Sequence, residues 1–260
     1  MRLIALLMLC VAATSSIARA ADDPFVGHWA FNPEKSKVDD VIFRISSDGP
    51  GRFRFNFSNG TELTLPADGT THPDPLGGTA SLTQVDSRML RLFRKRATER
   101  IMTITVATDG NSIRIDQLDT LAAGDKKSFT GQGERIGPGK GLIGAWKMKL
   151  GEFNLPAAAR EMDIEPFGTE GLSLLFPADK YRLDIKFDGK PYKDIGPNVA
   201  KGSTNIGTRL DSKAIRIEGM LNGKPWDVTE YQLSPDDKIL TVTYKAAKSG
   251  NPIIQAYDRR

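Results

Sequence analysis

Arg52-Phe53-Arg54-Phe55-Asn56-Phe57 sets an aromatic ring at every second position with a polar residue between the rings. Successive side chains of a strand point to opposite faces, so this hexapeptide has one aromatic face and one wet face. A helix, with its period of 3.6, would scatter the rings around its circumference. The alternation returns where Tyr181, Leu183, Ile185 and Phe187 are separated by Arg182, Asp184 and Lys186. Asn59-Gly60, Asp109-Gly110, Asp188-Gly189 and Asn222-Gly223 punctuate the chain. Such pairs tolerate the positive φ that tight hairpin turns demand, so they predict antiparallel meanders. Helical signal is confined to Leu155-Pro156-Ala157-Ala158-Ala159-Arg160, enough for a turn or two after the proline.

The chain also repeats itself. Gly27-His28-Trp29 is echoed by Gly144-Ala145-Trp146, and Val85-Asp86-Ser87-Arg88-Met89-Leu90-Arg91-Leu92 by Leu210-Asp211-Ser212-Lys213-Ala214-Ile215-Arg216-Ile217. Thr108-Asp109-Gly110-Asn111-Ser112-Ile113-Arg114-Ile115 parallels Pro235-Asp236-Asp237-Lys238-Ile239-Leu240-Thr241-Val242, and the copies close on Glu134-Arg135 and Asp258-Arg259-Arg260. Three ordered echoes predict two units, 24–136 and 142–260. Ile136-Gly137-Pro138-Gly139-Lys140-Gly141 resists both helix and sheet, so 137–141 reads as a linker. About eight candidate strands per copy suffice to close a small barrel and remove exposed edges.

The Gly-x-Trp opening of both copies resembles the first strand of lipocalin-like barrels, in which the tryptophan plugs the closed end. On that resemblance Trp29 and Trp146 are structural plugs, and the fold is all-β, two tandem antiparallel lipocalin-like barrels with little helix. The chain is also similar to uncharacterised secreted bacterial proteins sharing a Gly-x-Trp start, an Asn-Pro-x-x-Ser segment, an Asp-Gly-Lys-x-Tyr hairpin and a late Asp-Gly-Lys-x-Leu-Thr-Val strand. Here these appear as Gly27-His28-Trp29, Asn32-Pro33-Glu34-Lys35-Ser36, Asp188-Gly189-Lys190-Pro191-Tyr192 and Asp237-Lys238-Ile239-Leu240-Thr241-Val242. The first copy keeps the Asn-Pro segment and the second keeps the Asp-Gly-Lys hairpin, so the two copies are not equivalent.

Residues 1–20 read as a signal peptide: Arg2, an apolar run shorter than the about 20 residues that span a bilayer, and Ala18-Arg19-Ala20 at the cleavage site. The mature chain is therefore expected to begin at Ala21, to be exported to a periplasm or secreted, and to keep no integral membrane segment. The single cysteine, Cys10, leaves with the leader, which removes disulfides, thiolate nucleophiles and cysteine ligands from the mature chain. Arg2 and Arg19 leave too, so 36 Lys plus Arg against 32 Asp plus Glu becomes 34 against 32, a balance of +2. That near neutrality argues against a nucleic-acid partner.

Few residues suggest chemistry. His28 and His72 are the only histidines and have no zinc-type spacing, and no Gly-x-Ser-x-Gly elbow accompanies them. No catalytic residue, metal ligand or cofactor is assigned. Arg88, Arg91, Arg94, Lys95, Arg96 and Arg100 form the densest basic cluster, read as a solvated face beside Leu90 and Leu92. Phe53, Phe55, Phe57, Tyr181, Leu183 and Ile185 either line a cavity or fill the barrels, and Trp226 either faces a cavity or covers a hairpin. The leading functional expectation is an exported non-enzymatic protein binding a small hydrophobic ligand with these residues. The alternatives are an envelope interaction module with filled barrels, and a hydrolase or isomerase working at a barrel mouth.

Overall fold

The structure is a computed structural model that describes residues 22–37, 41–57, 61–154, 157–247 and 252–260. Residues 1–20, read as a signal peptide, and the expected Asn59-Gly60 turn fall outside the described residues. The chain is all-β and forms two nearly closed, antiparallel, barrel-like sheets.

The strands in chain order are β1 (Gly27–Lys37), β2 (Val41–Ser47), β3 (Arg52–Asn56), β4 (Glu62–Pro66), β5 (Asp68–Pro73), β6 (Thr79–Asp86) and β7 (Met89–Lys95). Next come β8 (Glu99–Val106), β9 (Ser112–Thr120), β10 (Lys126–Lys140), β11 (Ile143–Asn154), β12 (Glu161–Phe167), β13 (Gly171–Phe176) and β14 (Tyr181–Lys186). The last are β15 (Pro191–Tyr192), β16 (Asp194–Ile195), β17 (Ser203–Asp211), β18 (Ala214–Leu221), β19 (Lys224–Leu233), β20 (Ile239–Ala246) and β21 (Ile253–Arg259). Short 3-10 turns occur at Ala157–Arg160 and Pro177–Asp179.

One sheet has ten strands in the order β4-β3-β2-β11-β10-β9-β8-β7-β6-β5, and the other eleven in the order β15-β17-β18-β19-β20-β21-β1-β12-β13-β14-β16. Both exceed the expected eight, because short edge pieces such as β15 and β16 count as strands of their own. The orders also carry a correction: the sheets do not follow the units 24–136 and 142–260. The Gly-x-Trp strand of each copy lies in the other copy's sheet. Trp146 on β11 sits opposite Phe43 of β2 and Arg135 of β10, while Trp29 on β1 sits opposite Met162 of β12 and Arg259 of β21. The two opening strands carry the same motif, so each meets the same kind of slot between a last and a second strand.

The stretch 137–141 is likewise no linker. β10 runs through it to pair Lys140 with Ile143, with a register break after Ile136 and positive φ at Gly137 and Gly141. Its glycines bend a continuous hairpin back on itself, which is the bulge role glycine plays inside strands. The Asn-Pro-x-x-Ser segment also forms a bulge, between Asn32 and Lys37 of β1. Asn32 Oδ1 accepts from the backbone N–H of Glu34 and Lys35, and its amide donates to Asp258 at 2.7 Å; Ser36 Oγ accepts from Ala256 N–H at 2.9 Å. The motif thus fixes β1 to β21.

The period of two sorts the faces as read. Phe53 and Phe55 point into the first core with Phe43, Ile45, Leu82, Leu92 and Ile104, and Arg52 and Arg54 turn out toward Asp48. Leu183 and Ile185 enter the second core with Met162, Leu172, Leu174, Ile217 and Leu240. The turns at Gly110, Gly189 and Asn222-Gly223 have the expected positive φ.

Candidate functional site

Each sheet has a closed end and a mouth. At the closed end of the second sheet Trp29 is fully buried, its indole N–H donates to Phe25 O at 3.0 Å, and the Arg259 guanidinium lies 4.2 Å above the ring. Arg259 donates to the carbonyls of Asp237 (2.7 Å), Val26 (2.8 Å) and Pro24. The first sheet repeats this: Arg135 lies 4.1 Å from the ring of the buried Trp146 and donates to the carbonyls of Gly110, Ile143 and Gly141 at 2.7, 2.6 and 2.6 Å. A planar fork of five donors suits this cluster of orphan carbonyls. The motif glycine follows from the same geometry, since a Cβ at Gly144 would lie 2.2 Å from Arg135 Nη1 and one at Gly27 2.6 Å from Arg259 Nη1. The sequence reading missed both arginines, although the charged ends Glu134-Arg135 and Asp258-Arg259 carried the signal.

The mouths differ. In the first sheet, alternation past Leu92 and Met102 puts Arg94 and Arg100 on the inner face, Arg94 nearly buried and Arg100 partly exposed, while Arg88, Arg91 and Lys95 of the basic cluster face solvent. Arg94 binds the fully buried carboxylate of Asp74 through Nε (2.5 Å) and Nη2 (2.9 Å) and lies 5.9 Å from the Phe57 ring. Arg100 forms a second fork to Asp119 at 2.9 and 2.8 Å, and Gln117 donates to the same carboxylate. Phe57 stacks 6.0 Å from Phe55 beneath them. Asp74 and Asp119 thus each face an arginine.

In the second sheet two carboxylates, Asp194 and Asp227, are held by neutral donors. Asp194, on the short strand β16, accepts from Tyr181 Oη, Ser203 Oγ and Asn205 Nδ2, the last at 2.8 Å. Asp227 follows Trp226 on β19, just beyond the Asn222-Gly223 turn. It sits opposite Gly219, where the register of β18 and β19 shifts. A Cβ at Gly219 would lie 2.2 Å from Asp227 Oδ1, so the missing side chain is what admits the carboxylate. Burial pushes the Asp227 carboxyl up to about 6; hydrogen bonds from Tyr244 Oη and Gly219 N–H work against the rise, and the charge of Asp194 adds to it. Burial and the nearby carboxylates raise Tyr181, Tyr231 and Tyr244 far above the usual phenol range, so these hydroxyls stay protonated donors.

Asp194, Asp227, Tyr181, Asn198, Ser203 and Trp226 surround a cavity of about 180 Å³, roofed from the first sheet by Leu76 and Arg96. A wider cavity of about 410 Å³ shares Tyr181, Asp194, Asn198 and Ser203 and reaches Phe176 and Val199. Arg96 donates to the backbone carbonyl of Asn198, while Asn198 Oδ1 is buried with no hydrogen-bond partner.

The residues read as cavity lining therefore separate. Phe53, Phe55, Leu183 and Ile185 are core side chains and Phe57 packs against the first core; only Tyr181 and Trp226 reach a cavity, and Trp29 and Trp146 sit at the closed ends. His28 meets Asp163 at 2.5 Å on the strand surface, and His72 meets Thr70 at 2.7 Å on β5. Among the described residues no group of three or more His, Cys, Asp or Glu side chains is placed to hold a metal ion, and no helix is long and apolar enough to cross a membrane. The fold and site define an all-β protein of two barrel-like sheets with a polar-walled cavity at the second sheet. Comparison with protein-family models, curated proteins and solved structures finds no match.

Proposed function

We propose that this chain is an exported, non-enzymatic binding protein of lipocalin-like build, whose second sheet receives a small ligand at its mouth and whose first sheet is the supporting copy. The observation that carries this is the cavity around Asp194, Asp227, Trp226 and Asn198, where a buried acceptor and two carboxylates face unfilled space, whereas the buried carboxylates Asp74 and Asp119 of the first sheet are each paired with an arginine. Concave sites with a few convergent polar groups are the usual form of small-molecule sites. The barrel interiors read from sequence as a ligand chamber are occupied by packed side chains, so the ligand-contacting surface moves from the apolar interior to the polar mouth.

Native mass spectrometry of the protein purified from its own host, with organic extraction of anything that co-purifies, tests this reading. A stoichiometric small molecule, lost in Trp226→Ala, is the expected result; an empty protein whose melting temperature no metabolite panel shifts would overturn it. N-terminal sequencing of the exported fraction tests cleavage before Ala21. A second reading, proton transfer on a bound substrate, is favoured by one observation: a carboxyl near 6 can accept and return a proton at neutral pH. Turnover lost in Asp227→Asn with binding retained would support it. The interaction-module reading draws less support, because the exposed large apolar residues Ile42, Val85, Ile195 and Leu210 are scattered over β2, β6, β16 and β17, and only Ile101 and Leu118 adjoin across strands.

A further inference from the structure

The shape and charge of the inner cavity specify more than a small ligand. A carboxylate has about four lone-pair sites. Three at Asp194 are filled by Tyr181, Ser203 and Asn205, which leaves one. Asp227 is held by Tyr244 and the Gly219 N–H, which leaves two. Asn198 Oδ1 has none filled. The free capacity of these oxygens is that of acceptors, and an occupant that fills it must bring donors.

The charge balance points the same way. Two carboxylates and one guanidinium line the inner cavity, and that guanidinium, Arg96, is engaged by the Asn198 carbonyl. With both acids ionised the walls carry one uncompensated negative charge. Burying such a charge without a partner is costly, and an incoming cation removes the cost. Trp226 stands on the same wall as Asp227, and an indole face attracts an ammonium more strongly than any other side-chain ring. The space holds about six waters, taking roughly 30 Å³ for each. That suits a short chain.

Resting on the binding reading above, we infer that the second mouth recognises a small monocationic amine, its ammonium held between Asp227, Asp194 and Asn198 Oδ1 against Trp226. The guanidinium of Arg96 would repel a second positive charge, which leaves the outer cavity for a hydroxyl or neutral tail.

Three four-carbon probes separate charge from shape: 4-aminobutan-1-ol, butane-1,4-diol and succinate, titrated calorimetrically into the intact mature protein at pH 7.5. The amine is expected to bind one to one, with the diol roughly tenfold or more weaker, as fits the loss of a charge-assisted hydrogen bond, and succinate silent. Asp227→Asn keeps the shape and its Tyr244 contact, and should cost the amine about tenfold while leaving the diol unchanged. Trp226→Ala should weaken the amine too, and the circular dichroism melt of both variants checks that they fold. Equal affinity for diol and amine, tightest binding of succinate, or amine binding unchanged in both variants would each overturn the amine assignment. A co-purifying ligand without a basic nitrogen would overturn it while leaving the binding reading intact. An empty protein that binds none of the three would end both.

Discussion

Trp29→Ala separates the order of the chain from the order of the sheets. By chain order this residue opens the first copy, and its loss should loosen residues 41–136. By topology it plugs the second sheet, between β12 and β21. Its side chain is fully buried, and replacing such a tryptophan with alanine costs about 3–5 kcal/mol. The indole bond to Phe25 O adds about 1 kcal/mol and the Arg259 contact at 4.2 Å about 1 kcal/mol more. These contributions overlap, so about 4–6 kcal/mol is expected, a large part of the about 5–15 kcal/mol that holds a typical domain. Hydrogen exchange followed by mass spectrometry reads the result by peptide. Protection should fall across β12 to β21 and persist in residues 41–154. Trp146→Ala should do the reverse, and cost somewhat less because its buried indole nitrogen has no partner to lose. Loss of protection in residues 41–136 of the Trp29 variant would refute the strand exchange.

Asp227 should make stability fall with rising pH. Its folded carboxyl near 6 exceeds the ordinary 3.8, so the fold holds the proton more tightly than the unfolded chain does. The favourable contribution is complete below about 4 and is lost as pH climbs through about 6. The difference corresponds to about 3 kcal/mol, which incomplete burial reduces to about 1–2 kcal/mol. Asp227→Asn should therefore melt roughly 2–8 °C higher than wild type at pH 8 and show no advantage at pH 4, checked by calorimetry. Arg94→Met strands the buried Asp74 carboxylate and should cost about 3–5 kcal/mol in urea denaturation. Gly144→Ala drives a methyl toward Arg135 Nη1 and should destabilise the first sheet by about 2–4 kcal/mol, with Gly137→Ala, whose Cβ meets nothing, milder by the same assay.

The sequence by itself determined the local structure. The alternation of Phe53, Phe55 and Phe57 or of Leu183 and Ile185 decides strand and inward face, because burial on a pleat has period two whatever the neighbouring strand is. The glycine turns decided the meander, since only a few residues accept their φ. What the chain could not declare is partnership. Gly27-His28-Trp29 and Gly144-Ala145-Trp146 fit either slot equally well by motif, and only the pairing of β1 with β12 and β21, and of β11 with β2 and β10, assigns each to the other copy's sheet. For the same reason the arginines over the tryptophans went unread: Arg259 meets Trp29 across 230 residues. Tyr181 and Trp226 were legible as amphipathic rings of undecided facing. Asp194, Asn198 and Asp227 were ordinary turn-type residues until tertiary structure brought them to one mouth. In the first sheet Asp74 and Asp119 met arginines, whereas the side chains of Asp194 and Asp227 met neutral donors and unfilled space. Sequence records which groups a chain carries; whether a buried carboxylate is neutralised or left facing a cavity is decided by strands far apart in the chain.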